Sequence, residues 1–166
     1  MDRVFLLDRS GSMNSCREDT IQGFNSFVES QKSLGGTMTL CLFDNEVTIL
    51  YTKIPIENVV PLSEDTYVPS GGTALYDAMG HILKMKLEKA LVIILTDGDE
   101  NSSTKYTSLH IKDLVESKKN WDFMYLGANQ DAVLSAKRIG IRRSLNYDAT
   151  QTSVAFATLS SQYSGI

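Results

Sequence analysis

Asp8, Ser10 and Ser12 alternate with Arg9 and Gly11 directly behind an apolar run at residues 4–7. One carboxylate and two hydroxyls at that spacing are oxygen donors of the kind that Mg²⁺ and similar hard cations gather into a roughly octahedral shell. A tight turn after a strand can aim both hydroxyls at one point, and Gly11 would let the backbone turn without a side-chain clash. Two later segments offer more of the same chemistry. Thr73 follows Gly71 and Gly72, whose loop can come close to an ion, and Asp97 follows the apolar run at residues 90–95. Asp97 would supply a second carboxylate, directly or through water. Such a shell is rich in neutral hydroxyls and poor in charge. It leaves an ion electrophilic, with one position that a carboxylate from outside could fill.

Four further residues belong to the rim of this constellation. Asp77 falls one helical turn past Thr73, and is read either as orienting the site through hydrogen bonds or as an exposed helix carboxylate. Asp99 and Glu100 support the site or cap the following helix. Asn129 stands at a strand end and resembles part of a helix N-cap. Asp44 is read as a turn residue. His81 and His110 each lie inside a predicted helix and are assigned to the surface. Tyr51, Tyr67 and Tyr76 could line a contact surface.

Positioning these donors requires strands that end near one another. Residues 4–7, 90–95 and 123–126 are short unbroken apolar runs, as expected of strands covered on both faces. Residues 38–43 and 47–51 are β-rich runs joined by Asp44-Asn45-Glu46, which predicts a hairpin. Helical spacing appears over residues 15–34, with Ile21, Phe24, Val28 and Gln31 or Leu34 on one face, and Gly35-Gly36 ends it. Further helices are predicted over 73–87, 105–119, 132–139 and 152–161. The apolar face of the 105–119 helix is assigned to Leu109, Ile111 or Lys112, Leu114 and Val115. Residues 144–147 read as a short edge strand, and 53–72 as an irregular stretch holding all three prolines. The alternation predicts an α/β fold: a Rossmann-like three-layer sandwich with a mainly parallel central sheet, one antiparallel edge strand and helices on both faces. In open sheets of this kind ligands bind at the carboxyl ends of the strands, near the switch point in strand order. The three donor loops all lie at that end.

Bulk properties narrow the function. A chain of 166 residues with 42% hydrophobic content suits one domain, spanning residues 1–166, that buries roughly 70% of its unfolded surface. A net charge of −4 argues against a nucleic-acid partner. Lys118-Lys119, Lys137-Arg138 and Arg142-Arg143 are short basic pairs, read as solvated helix faces. Two isolated cysteines make neither a disulfide framework nor a zinc site, and suit a reducing compartment. The first strand begins too early to leave room for a signal peptide, and no apolar run is long enough to insert in a membrane. A cytoplasmic location is expected.

Asp8-Arg9-Ser10-Gly11-Ser12, Thr73 in Gly-Gly-Thr-Ala-Leu-Tyr-Asp-Ala, and Asp97 in Leu-Thr-Asp-Gly-Asp-Glu-Asn together resemble the metal-ion-dependent adhesion site of von Willebrand factor type A (vWA) domains. The resemblance covers nearly the whole chain. The segment from Tyr125 to Ala132 is similar to small stand-alone members from bacteria and their bacteriophages. The resemblance implies a Rossmann-like sheet and Mg²⁺ or Mn²⁺ held by Asp8, Ser10, Ser12, Thr73 and Asp97. It also implies a protein partner, another copy of the chain among the candidates, that donates an Asp or Glu.

An Asp after the first strand plus a metal also describes haloacid-dehalogenase-like phosphatases. That chemistry needs a second carboxylate two residues on as general acid, and here the position is Ser10, which cannot shuttle a proton at neutral pH. A Ser-His-Asp hydrolase fares worse, because neither histidine falls at a strand end. A third reading is a vWA scaffold that binds its partner without metal. The expectation is a binding module rather than an enzyme.

Overall fold

The unbroken apolar runs form the middle of a sheet because both of their faces are covered. In the computed structural model, which describes residues 1–97, 100–128, 131–147 and 156–160, six strands pair in one sheet. They are β1 (Asp2–Asp8), β2 (Thr37–Phe43), β3 (Val47–Pro55), β4 (Ala90–Thr96), β5 (Trp121–Ala128) and β6 (Ser144–Tyr147). Their order is β3-β2-β1-β4-β5-β6. All neighbours are parallel except β2 and β3. Strand order therefore reverses between β1 and β4, the two central strands. The predicted α/β sandwich with its antiparallel edge is the observed fold.

Period-two alternation divides the strands between two cores. Phe5, Leu7, Met38, Leu40, Ile93, Leu95 and Leu126 point to one side, where α1 (Arg17–Gln31) lays Phe24, Phe27 and Val28 against them. Phe5 meets Phe24 edge-on at 5.3 Å between ring centroids and stacks on Phe156 at 5.8 Å. Val4, Leu6, Val92, Ile94, Phe123 and Tyr125 point to the other side. That side is covered by α2 (Leu75–Leu83), α3 (Ser108–Ser117) and α4 (Ala132–Arg138).

Several boundaries differ from the sequence reading, each for a local reason. A 3₁₀ stretch, Gly11–Cys16, precedes α1. At the other end of α1, Gln31 faces inward and Leu34 is half exposed. The buried guanidinium of Arg3 fixes Gln31, donating from Nε to its Oε1 at 3.0 Å. Residues 53–55 belong to β3 rather than to a loop. The strand keeps pairing through register shifts opposite Met38 and Leu40, with Lys53 at φ 48°. The helix predicted over 73–87 is confined to Leu75–Leu83. The one predicted over 105–119 starts only at Ser108, and Leu109 is 67% exposed rather than on the apolar face. Tyr67 is fully buried and lines no outer surface. Residues 156–160 are helical; the rest of the closing helix predicted at 152–161 lies outside the described residues. Among the described residues no helix is long and apolar enough to cross a membrane.

Candidate metal centre

Asp8 ends β1 and Thr96 ends β4, so the switch point sets their side chains together. Thr96 donates its hydroxyl to Asp8 Oδ2 at 2.6 Å, and the Ser10 amide donates to Oδ1 at 2.7 Å. Asp8 is completely buried. Burial pushes its carboxyl up from the ordinary carboxylate range; the hydrogen bonds from Ser10 and Thr96 oppose that rise, and the charge of Asp97 adds to it. Beyond Asp8 a chain of hydroxyls leads outward. Ser10 and Ser12 share a hydrogen bond at 3.2 Å between their Oγ atoms, and Ser12 Oγ donates to Asp97 Oδ1 at 2.8 Å. Four of the five predicted donors thus form one connected cluster.

Thr73, the fifth, is brought in by its loop. Gly11 donates its amide to the Gly71 carbonyl at 3.0 Å, and Ser70 donates to the Arg9 carbonyl at 2.9 Å. The Thr73 backbone is held from both sides: its amide donates to Asn101 Oδ1 at 2.9 Å, and its carbonyl accepts from the amides of Asn101 and Ser102. Thr73 is buried, and among the described residues its hydroxyl donates to no protein acceptor. The glycine requirement falls on Gly71 rather than Gly11. Gly71 has φ 77°, and a Cβ there would lie 2.0 Å from Asn45 Oδ1, whereas a Cβ on Gly11 would meet only ordinary contacts.

The rim residues act on loops. Asp77 accepts the amides of Thr104, Lys105 and Tyr106 at 2.9 to 3.1 Å, which holds that segment out of the helical conformation predicted for it. Glu100 accepts from the Tyr76 amide in the first turn of α2 and from Ser103, so it caps the preceding helix rather than the following one. Asp99 and Asn129 lie outside the described residues. Asp44 does more than turn the hairpin. Its carboxylate pairs with Arg9 at 3.2 Å, and its carbonyl accepts the Ala74 amide at 2.7 Å, which ties the hairpin to the loops of Ser10 and Thr73. Thr96, Asn45, Asn101 and the Tyr67 hydroxyl, which donates to the Asp8 carbonyl, had no role in the site on the sequence reading. Only Thr96 carried a signal, its place beside Asp97.

The donor set suits a hard cation. Among the described residues no three His, Cys, Asp or Glu side chains gather as a metal cage; the oxygens here are two carboxylates and three hydroxyls. Arg9 is committed to Asp44, and among the described residues no lysine or arginine pairs with Asp8 or Asp97. Among the described residues, these two neighbouring carboxylates, one of them buried, have no basic side chain paired with them.

No protein-family model matches the sequence, and no curated protein does. Solved structures do match. A von Willebrand factor type A protein from Catenulispora acidiphila superposes with a TM-score of 0.72 over 99% of this chain at 15% identity. The chain has the von Willebrand factor type A fold. The vWA match extends to proximal thread matrix protein 1 of the mussel byssus, in a structure with a zinc-occupied metal-ion-dependent adhesion site motif. There the TM-score is 0.69 and the identity 16% over 98% of this chain. It extends also to the vWF domain of the type V pili tip protein Mfa5 from Porphyromonas gingivalis, with TM-score 0.66 and 12% identity. This chain covers 94% of that vWF domain but only 42% and 45% of the first two proteins. At these identities the likeness establishes the vWA fold.

Proposed function

We propose that residues 1–166 form one vWA-type protein-interaction module whose binding centre is a divalent-metal site, Mg²⁺ or Mn²⁺, held by Asp8, Ser10, Ser12, Thr73 and Asp97. The single observation that carries this reading is the Ser12–Asp97 hydrogen bond, which closes the donor chain across the switch point between two carboxylates that pair with no basic side chain among the described residues. When bound, the metal would supply a Lewis-acidic position for an Asp or Glu of a protein partner. Every other contribution comes from the protein. Asp8 sets buried charge at the base, Ser10 and Ser12 present hydroxyls along one turn, and Thr73 offers its hydroxyl from a loop pinned at both backbone groups. A zinc-occupied motif of this kind in the mussel protein supports the reading.

The module is read as a binder and not as a phosphatase, because Ser10 occupies the place where a general acid would have to stand. A cytoplasmic location fits two buried cysteines that form no disulfide. The decisive experiment is calorimetric titration of metal-stripped protein with Mg²⁺ and Mn²⁺, beside Asp8→Ala with its fold checked by circular dichroism. Saturable heat in the wild type that is lost in the folded variant supports the centre. A folded wild type that takes up neither ion sinks it.

A further inference from the structure

The sequence presents Lys118-Lys119 and Arg142-Arg143 as separate basic pairs, 24 positions apart. The fold brings them to one cleft of about 450 Å³, shared with Trp121, Glu116 and Asp122. Lys118 and Lys119 sit in the turn entering β5, and Arg142 and Arg143 lie outside any helix, in the loop entering β6. Both strands run parallel, so the cleft lies toward the amino-terminal edge of the sheet, opposite the end that carries Asp8 and Asp97. It gathers four cationic side chains against two acidic ones on a chain whose net charge is −4.

Backbone hydrogen bonds hold the walls of the cleft. Trp121 donates its amide to the Lys118 carbonyl, Tyr125 donates to the Arg143 carbonyl at 3.0 Å, and Ile141 donates to Ala136 at 2.9 Å. Gly140 makes the turn at φ 79° against Lys112 and Glu116. The Lys118 ammonium lies 4.8 Å from the centroid of the Trp121 ring, whose indole nitrogen donates to the Leu87 carbonyl at 3.0 Å. Lys119 and Arg142 are exposed and enter no ion pair among the described residues.

We propose that this cleft is a second binding site, for a small ligand bearing two or more linked phosphate groups, such as pyrophosphate or a nucleoside diphosphate. Arginine forks match phosphate oxygens bidentately, and lysines add point charge. The volume is that of a small-molecule site, and four cations lining one cleft suit the charge of a diphosphate. Carboxylates strung along an acidic peptide are spread more widely. The site is independent of the metal centre.

Trp121 is the only tryptophan of the chain and lines the cleft, so its fluorescence reports occupancy. The test titrates metal-free Asp8→Ala protein, in chelator and at constant ionic strength, with pyrophosphate, ADP, sulfate and poly-glutamate. The expected result is a saturable change with pyrophosphate or ADP. Affinity should fall roughly tenfold or more in Arg142→Gln, because hydrogen bonds to a charged group are being removed, while the unfolding midpoint stays put. Lys119→Gln, which leaves the β6 loop untouched, should weaken binding in the same direction. Equal responses to sulfate and pyrophosphate would reduce the cleft to non-specific screening and overturn the proposal. Tighter binding of poly-glutamate would overturn it in favour of an acidic protein surface.

Discussion

Thr96 Oγ1 donates to Asp8 Oδ2 at 2.6 Å, a buried contact between residues 88 positions apart that locks the ends of β1 and β4 side by side. Thr96→Val keeps the shape and removes the donor, which leaves a buried carboxylate oxygen short of a partner. A loss of about 1 to 3 kcal/mol in unfolding free energy is expected, measured by urea titration. Affinity for Mg²⁺ should fall as well if Thr96 orients the carboxylate for an ion.

Burial raises the Asp8 carboxyl above the ordinary value of 3.8. The folded protein therefore takes up this proton at a higher pH than the unfolded chain does. Between the two values the folded state binds more protons, so lowering pH through that window stabilises the metal-free protein at this site, and raising pH costs stability. Asp8→Asn removes the buried charge. The variant should gain on the metal-free wild type at pH 7, and the gap should narrow as the pH falls toward the unfolded value. Urea midpoints of both proteins at several pH values check this. A gap that widens on acidification would contradict the assignment.

Asp77 gathers three backbone amides, those of Thr104, Lys105 and Tyr106. Asp77→Ala should cost roughly 2 kcal/mol, because these donors lose their acceptor together. Hydrogen exchange at the three amides should speed up more than at the amides of β1. Asp77→Asn, which retains one acceptor oxygen, should fall between the variant and the wild type.

Burial pushes the Cys41 thiol up to about 12, and the nearby charge of Arg9 lowers it too little to offset this. Cys16 is buried as well. Neither thiol should react with a disulfide reagent at pH 8 in native protein, and both should react once urea unfolds it. Rapid native labelling at Cys41 would mean that β2 opens locally.

Much of this could be read in advance from residue order, and the failures share one cause. The runs at 4–7, 38–43, 90–95 and 123–126 are buried on both faces, so hydropathy alone finds their strands. Asp8, Ser10, Ser12 and Asp97 follow such runs directly, which is why their cluster was legible. The starts of α2 and α3 were not, because side chains far away set them, whereas α4 begins at Ala132 as its spacing predicts. Lys105 and Tyr106 fall within the predicted helix, yet Asp77 holds their amides in another arrangement. Glu100 caps α2, which precedes it, through a contact with Tyr76 that no local pattern announces. Asn45 and Asn101, which pin the Gly72 and Thr73 amides, are polar loop residues indistinguishable in sequence from solvated ones. The two basic pairs carried the same blindness: each is unremarkable alone, and only the parallel pairing of β5 and β6 sets them on one cleft.

The irregular pairing of β3 bears on what happens at high concentration. This nine-residue strand forms one rim of the sheet, and its outward amides and carbonyls could in principle template another chain. Two register shifts and Lys53 at φ 48° break the flat repeat that such addition requires. An incoming strand would have to copy the same distortion, so the uneven rim makes β3 a poor template for a further strand.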